Sequence, residues 1–288
     1  MKGTTKRALL ALLMALTCVA HAKEPAMTGA FAPVNGINLY YEIHGKADPS
    51  HPVPLVLIHG GGSTIESNFA ALLPLLSRTR QVIAIEEAGH GHTKATSRAF
   101  SFENTADDVA ALLDFLHLPQ ADILGFSNGG TTTLQLAIRH PDKVRRLIVA
   151  SANYRRDGMP DGFFEGMQGA TLEVMPEPLK AADRKINPDP AHLQALFLQD
   201  KQRMLNFKDI PDEQIRAIRA PTLVLDGDHD VVKPEHALQL ARTLPNARLV
   251  ILPATHGDYL GAVEAQPGPL DRTLLQMTLQ LTIAFLDQ

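Results

Sequence analysis

Past residue 22 the chain alternates short, nearly continuous apolar runs with longer runs of helical period. PLVLI, QVIAI, ADILGF, VRRLIVA, PTLVL and ARLVIL are rich in leucine and β-branched residues and are bounded by turns. Such runs read as strands buried on both faces. INLYYEI, earlier in the chain, suggests an opening antiparallel pair. Apolar residues recur at helical spacing in ESNFAALLPLLSR, ENTADDVAALLDFLHL, NGGTTTLQLAIRH and PEHALQLARTL, and a last helix starts near Leu270. This order predicts an α/β fold, a mainly parallel, doubly wound sheet with helices on both faces.

The rhythm breaks between about Ala152 and Ala220. GMPDGFFEGMQ, LEVMPEPLKAADRK and HLQALFLQDKQRMLNF read as short helices with no strand between them. An insertion of this size between two strands is either a mobile cap over a site or a second small domain. The division is therefore a core of residues 23–151 and 221–288 and a helical cap of residues 152–220. Met159, Phe163, Phe164, Met167, Met175, Leu196, Phe197 and Met204 exceed what a solvated lid needs. Most are expected to pack the cap onto the body, and some to face a ligand.

The first 22 residues stand apart. A basic start, MKGTTKR, precedes the apolar run ALLALLMALTCVA and the small-x-small site AHA, the pattern of a secretory leader cut after Ala22. The run is short for a membrane span. A lipoprotein signal ending at Cys18 would place Gly or Ala where Thr17 stands. The mature protein is expected in the periplasm or secreted, without cysteine, since Cys18 is the only one. Losing Lys2, Lys6 and Arg7 moves its formal charge from −4 to −7. That argues against nucleic acid or anionic lipid as partners, and no stable membrane insertion is expected once the leader is gone.

GFSNGG, residues 125 to 130, sits between an apolar run and a helical one. A serine on a sharp strand-to-helix turn needs glycine two residues before and two after it, so that side chains do not block the bend. Gly125, Ser127 and Gly129 meet that need, and the turn sets Ser127 at a helix N-terminus, where developing negative charge is stabilised. Composition alone would yield about 0.04 such matches, so a tight turn with an incidental serine is the weaker reading. Serine also needs a base, and the base an acid partner. DGDHDVV follows strand PTLVL, and PATHGDYL follows strand ARLVIL; both leave the carboxyl ends of strands, as does Ser127.

The chain thus resembles an α/β hydrolase over about residues 30 to 288, in the order serine, acid, histidine. The resemblance implies an eight-stranded sheet with a cap, Asp230 as the acid of a G-x-x-D stretch (Gly227 to Asp230), and His256 as the base. Asp226 and Asp228 are weaker candidates, one closing the strand and the other shaping the turn. His236 lies in the next helix and reads as solvated. In HGGG the resemblance assigns an oxyanion donor to Gly61, beside His59, Gly60 and Gly62, with the N–H of Asn128 as the second donor. A glycine run after a strand could instead cradle phosphate, but neither phosphate-loop pattern is present. A further family stretch, D-x-R-G-x-G-x-S, reads here as Glu86-Glu87-Ala88-Gly89-His90-Gly91-His92-Thr93, a partial match expected to serve structure. His90 and His92 have no partners completing a metal site and read as a solvated loop.

Serine at the turn and the absence of tryptophan exclude relatives that use an aspartate nucleophile. The expected activity is hydrolysis of a small carboxylic ester, in the manner of the pimeloyl-carrier-protein methyl esterase-like group, with no metal or organic cofactor. Acyl transfer, lactone, amide or carbon–carbon hydrolysis by the same triad, and a ligand-binding receptor keeping the pocket, remain open alternatives. The sequence does not set the oligomeric state.

Overall fold

In the computed structural model, which describes residues 28–264 and 268–288, the apolar runs lie side by side. The leader predicted for residues 1–22 falls outside the described residues. The sheet has eight strands in the order β1-β2-β4-β3-β5-β6-β7-β8. β1 (Thr28–Val34) and β2 (Ile37–His44) form the expected antiparallel pair, and β2 also runs antiparallel to β4 (Val82–Glu86). From β4 onward every pairing is parallel, through β3 (Leu55–Ile58), β5 (Ala121–Phe126), β6 (Val144–Ala150), β7 (Thr222–Gly227) and β8 (Ala247–Leu252).

The period of two in the strands splits the core into two layers. Val56, Ile58, Ile83, Ile85 and Ile123 face one side, with α3 (Phe102–Phe115), α4 (Asn128–Arg139) and α9 (Pro234–Thr243) over them. Leu55, Leu57, Val82, Leu124 and Phe126 face the other, under α1 (Ile65–Phe69), α2 (Leu73–Leu76) and α10 (Arg272–Leu286). Expected as one helix, residues 66–78 instead form parts of two short ones. Pro74, in the first turn of α2, has no N–H to donate to the Ala70 carbonyl, so the helical ladder cannot run through from α1.

Between β6 and β7 the described chain holds only helices and turns: α5 (Phe163–Gly169), α6 (Glu177–Ile186), α7 (Pro190–Asn206) and α8 (Asp212–Ala217). Met159, Phe164 and Met204 pack with Phe102, Phe207 and Val232, which ties this segment to the body. Met175, Leu179, Leu193, Leu196 and Phe197 make a second apolar cluster. Strand order reverses between β3 and β5, which leaves a crevice at their carboxyl ends, where ligands bind in open α/β sheets.

Candidate active site

Ser127 occupies that crevice. Its backbone has φ 55° and ψ −122°, a conformation that costs energy for a residue with a side chain and persists where the surroundings enforce it. The glycines show what does the enforcing. A Cβ on Gly125 would lie 2.1 Å from the Gly129 carbonyl oxygen, and one on Gly129 would lie 2.2 Å from that of Ile58. α4 is pressed onto β3 and β5 so closely that only glycine fits, and Ser127 is lifted clear at the apex.

The two loops expected to supply base and acid meet it there. His256 Nε2 is 3.0 Å from Ser127 Oγ, and His256 Nδ1 is 2.6 Å from Asp230 Oδ1. Asp230 also accepts the Val232 N–H at 3.1 Å and the Ser151 hydroxyl at 2.6 Å, and Ser151 lies 2.5 Å from the Tyr259 hydroxyl. Burial works against the charge on Asp230, but the hydrogen bond and charge of His256 outweigh it and hold the carboxyl below its ordinary range. Asp226, on β7, behaves oppositely. Burial and then the Asp230 charge raise its pKa, so of these neighbouring acids Asp226 is the one whose environment favours the protonated form. Asp226 closes the strand, as expected. Asp228 accepts the Ala254 N–H at 3.0 Å and so shapes the turn.

In the HGGG run the backbone donors sort themselves. Gly60 N–H is taken by Asn68 Oδ1 at 2.7 Å and Gly62 N–H by Asp200 Oδ2 at 2.6 Å. The N–H groups of Gly61 and of Asn128 meet no acceptor among the described residues. Asn128 follows Ser127 in the chain, and Gly61 follows Gly60, a Cβ on which would lie 3.1 Å from the Ser127 Cβ. Asn128 also overlies Gly61, since a Cβ there would come within 2.5 Å of its Nδ2.

Each side chain that takes up a neighbouring amide has backing. Asn68 Nδ2 donates to Glu264 Oε1 at 2.6 Å. Asp200, on α7, meets His90 Nε2 at 3.0 Å and accepts from Arg203 Nη2 at 2.8 Å, while Arg203 Nη1 donates to Glu87 Oε2 at 2.7 Å. The Glu87 N–H donates to His59 Nε2 at 3.1 Å, and His59 Nδ1 donates to the Gly60 carbonyl at 2.7 Å. Burial pushes His59 down to about 4, so it is neutral. These links run from α7 through the loop after β4 to the loop after β3. Sequence reasoning missed Asn68, Ser151, Asp200, Arg203, Tyr259 and Glu264, and placed Glu87 only within a stretch expected to serve structure. Glu87 alone left a local trace, a charge directly following a buried strand.

Two histidines depart from expectation. His90 is fully buried rather than solvated, because the Asp200 carboxylate comes down onto it; burial alone would lower its pKa, and Asp200 raises it. His92 is 42 % exposed and paired with Glu86 at 2.9 Å, in keeping with a loop position. His236 is 3 % exposed, not solvated. It lies on the inner face of α9, where it stacks on Tyr154 with ring centroids 4.7 Å apart, accepts the Tyr154 N–H at 3.1 Å, and is pushed down to about 4 by burial.

Among the described residues no helix is long and apolar enough to cross a membrane, and no group of side chains is arranged to hold a metal ion. A cleft of about 1180 Å³ runs between β2, α1, α2 and the end of α6, but no triad residue lines it. Over the loop after β3, Met175 Cε would come within 2.9 Å, and Leu179 within 3.9 Å, of a Cβ on Gly62.

A sequence profile described as alpha/beta hydrolase fold matches residues 53–207, more than half of the chain. The chain belongs to the α/β-hydrolase fold family. This α/β hydrolase is 31 % identical over 244 residues to a pimeloyl-[acyl-carrier protein] methyl ester esterase of Neisseria meningitidis, covering 76 % of this chain and 93 % of that one. It is also 31 % identical over 222 residues to the 2-hydroxymuconate semialdehyde hydrolase of Pseudomonas sp. strain CF600, covering 68 % and 77 %. Its fold matches that of the enol-lactonase from Burkholderia xenovorans LB400, with TM-score 0.68 and 23 % identity over 90 % of this chain and all of that one. The α/β hydrolase described here is a hydrolytic enzyme whose relatives include esterases.

Proposed function

We propose that this protein hydrolyses small, soluble carboxylic esters through an acyl-enzyme on Ser127. The observation that carries the reading is the hydrogen-bonded line from Ser127 Oγ to His256 Nε2 and from His256 Nδ1 to Asp230 Oδ1, at 3.0 and 2.6 Å. In the first step Ser127 Oγ bonds to the ester carbonyl carbon while His256 Nε2 takes its proton. Asp230, ionised and held by three donors, orients the ring and stabilises the imidazolium. The carbonyl oxygen gains the negative charge, and the N–H groups of Gly61 and Asn128 receive it; each such donor is worth about 10²- to 10³-fold in rate. Collapse breaks the bond to the alkoxide, which takes the proton from His256 and leaves as alcohol. Water, deprotonated by the same imidazole, then attacks the acyl carbon, Ser127 recovers its proton, and the acid departs.

The cap sets the scale of the substrate. Met175 and Leu179 close over Gly62, so the acyl group enters a covered, largely apolar space rather than an open surface. Esters with acyl chains of about two to eight carbons are therefore the substrates expected to turn over best. The test is kcat/KM across a nitrophenyl ester series with residues 1–22 removed. A maximum within that range is the expected result; a steady rise to about sixteen carbons, or activation by an oil interface, overturns the covered-site reading. Carbon–carbon hydrolysis, which the 2-hydroxymuconate semialdehyde hydrolase likeness raises, would show as turnover of a dienoate with no turnover of esters. This reading goes with the sequence expectation of a leader cut after Ala22 and of a protein in the periplasm or outside the cell; an exported protein beginning at Lys23 is the outcome that fits.

A further inference from the structure

Two carboxyls lie where β7 ends, Asp226 and Asp230, and Asp230 is the one that meets His256. The parallel register that sets Ala150 of β6 beside Leu225 of β7 carries Ser151 to the level of Asp226, and the Ser151 N–H donates to the Leu225 carbonyl at 2.9 Å. Ser151 is buried, and its backbone has φ 48°, a conformation uncommon for a residue with a side chain. From there its hydroxyl reaches Asp230 Oδ2 at 2.6 Å and the Tyr259 hydroxyl at 2.5 Å. The order of protons follows from the acceptor. An ionised carboxylate only accepts, so the one proton of Ser151 goes to Asp230; Tyr259, kept protonated by burial and by the nearby carboxylates, then donates to Ser151. Asp230 thus gathers donors on both oxygens, His256 Nδ1 and the Val232 N–H on Oδ1 and Ser151 on Oδ2. Asp226, which feels the Asp230 charge, has the Gly227 N–H on Oδ1 at 3.0 Å, while its Oδ2 is buried without a partner among the described residues. Glu264, another acid within reach of the His256 charge, is bonded to Asn68 and is driven by burial toward its protonated form. Neighbouring carboxylates ionise together only at an energetic cost, so the charge settles on the one with more donors.

We propose that Ser151, backed by Tyr259, is a positioning residue that keeps the negative charge of the site on Asp230 rather than on Asp226. It acts through Asp230 on the orientation of His256 and does not touch the substrate. The inference rests on the reading of Ser127, His256 and Asp230 as a triad and holds for any acyl group that Ser127 accepts.

The rate at which a fluorophosphonate labels Ser127, followed from about pH 5 to 9, tests it independently of the acyl group. Ser151→Ala is expected to slow labelling about tenfold at neutral pH, the scale of a hydrogen bond to a charged group. It is also expected to move the acid side of the profile to higher pH, because Asp230 without its Oδ2 donor takes up a proton more readily. Tyr259→Phe, which keeps the ring, is expected to act in the same direction by a smaller factor. Asp226→Asn removes the competing acid, and the gain it brings in the Ser151→Ala protein is expected to exceed its gain in the wild type by about fivefold or more. A loss of packing alone would leave the profile unmoved and the two gains equal. Equal gains in the two backgrounds therefore overturn the proposal, as do Ser151→Ala and Tyr259→Phe profiles that match the wild type. Where Ser151→Ala does not fold, the Tyr259→Phe profile and its response to Asp226→Asn decide the matter. Labelling that follows these expectations in a protein that hydrolyses no nitrophenyl ester supports the inference and removes the ester reading; a wild type that is not labelled overturns both.

Discussion

Ser127, Asp230 and His256 stand on the rim of the sheet, each within a few residues of a strand end, and the core beneath them is apolar. Gly61 is held otherwise: its two neighbouring amides are fixed by Asn68 and by Asp200, and Gly62 and Asp200 are 138 residues apart in the chain. One wall of the site is set by backbone geometry that short glycine-bearing turns impose locally. The other is set by buried charge drawn from the cap and the loop after β4. Rim positions are thus expected to govern turnover with little effect on stability, and network positions to govern both.

The largest effect tests the rim. Ser127→Ala and His256→Ala are each expected to lower kcat by about 10⁴-fold or more, and Asp230→Asn by a similar factor, with unfolding midpoints close to wild type. Near-normal turnover of Asp230→Asn alongside an inactive Asp228→Asn would move the acid to Asp228.

The next effect tests the network. Arg203 and Glu87 have side chains 1 % and 0 % exposed, so Arg203→Met leaves buried carboxylates without their cation. A loss of about 3 to 5 kcal/mol in unfolding free energy is expected from urea titration. Replacing both partners, Glu87→Gln with Arg203→Met, is expected to cost less than the single change. A single variant within about 0.5 kcal/mol of wild type would show that the cap is held by its apolar contacts alone.

The smallest effect concerns pH. His59 and His236 are held down to about 4 by burial, while the unfolded chain binds their protons near 6.5. Their contribution is complete above about pH 6.5 and is lost as pH falls toward 4, by up to about 3 kcal/mol each. His90 runs the other way: Asp200 raises it, so its stabilisation is present below about 6.5 and fades as pH climbs through its folded value. Unfolding free energy is expected to drop between pH 6.5 and 4.5, with a shallower slope in His236→Gln. A flat profile over that interval would mean that neither ring is buried as described.

How much of this was legible in the sequence follows the same division. The strands, the doubly wound order and the triad announce themselves through period, glycine spacing and position after strands, all of which are local. The elbow glycines are needed because α4 packs within contact of β3, a constraint that leaves a mark at fixed spacing around Ser127. Nothing local marks Asp200 or Arg203. On α7 they read as ordinary polar positions of a helix, and only the fold brings them onto His90 and Glu87. The same tertiary closure buried His90 and His236, whose sequence surroundings read as polar. The break in residues 66–78 was visible in Pro74, but the apolar spacing across it suggested one helix.

If Ser127 is an activated nucleophile, a fluorophosphonate labels it in the folded protein. The intact mass of the folded protein is expected to rise by one adduct, peptide mapping to place it on Ser127, and the reaction to be abolished by denaturation and strongly slowed in His256→Ala. No adduct on the folded protein, or an adduct on Ser151 or another residue that survives the His256 change, would mean that Ser127 is not activated by His256.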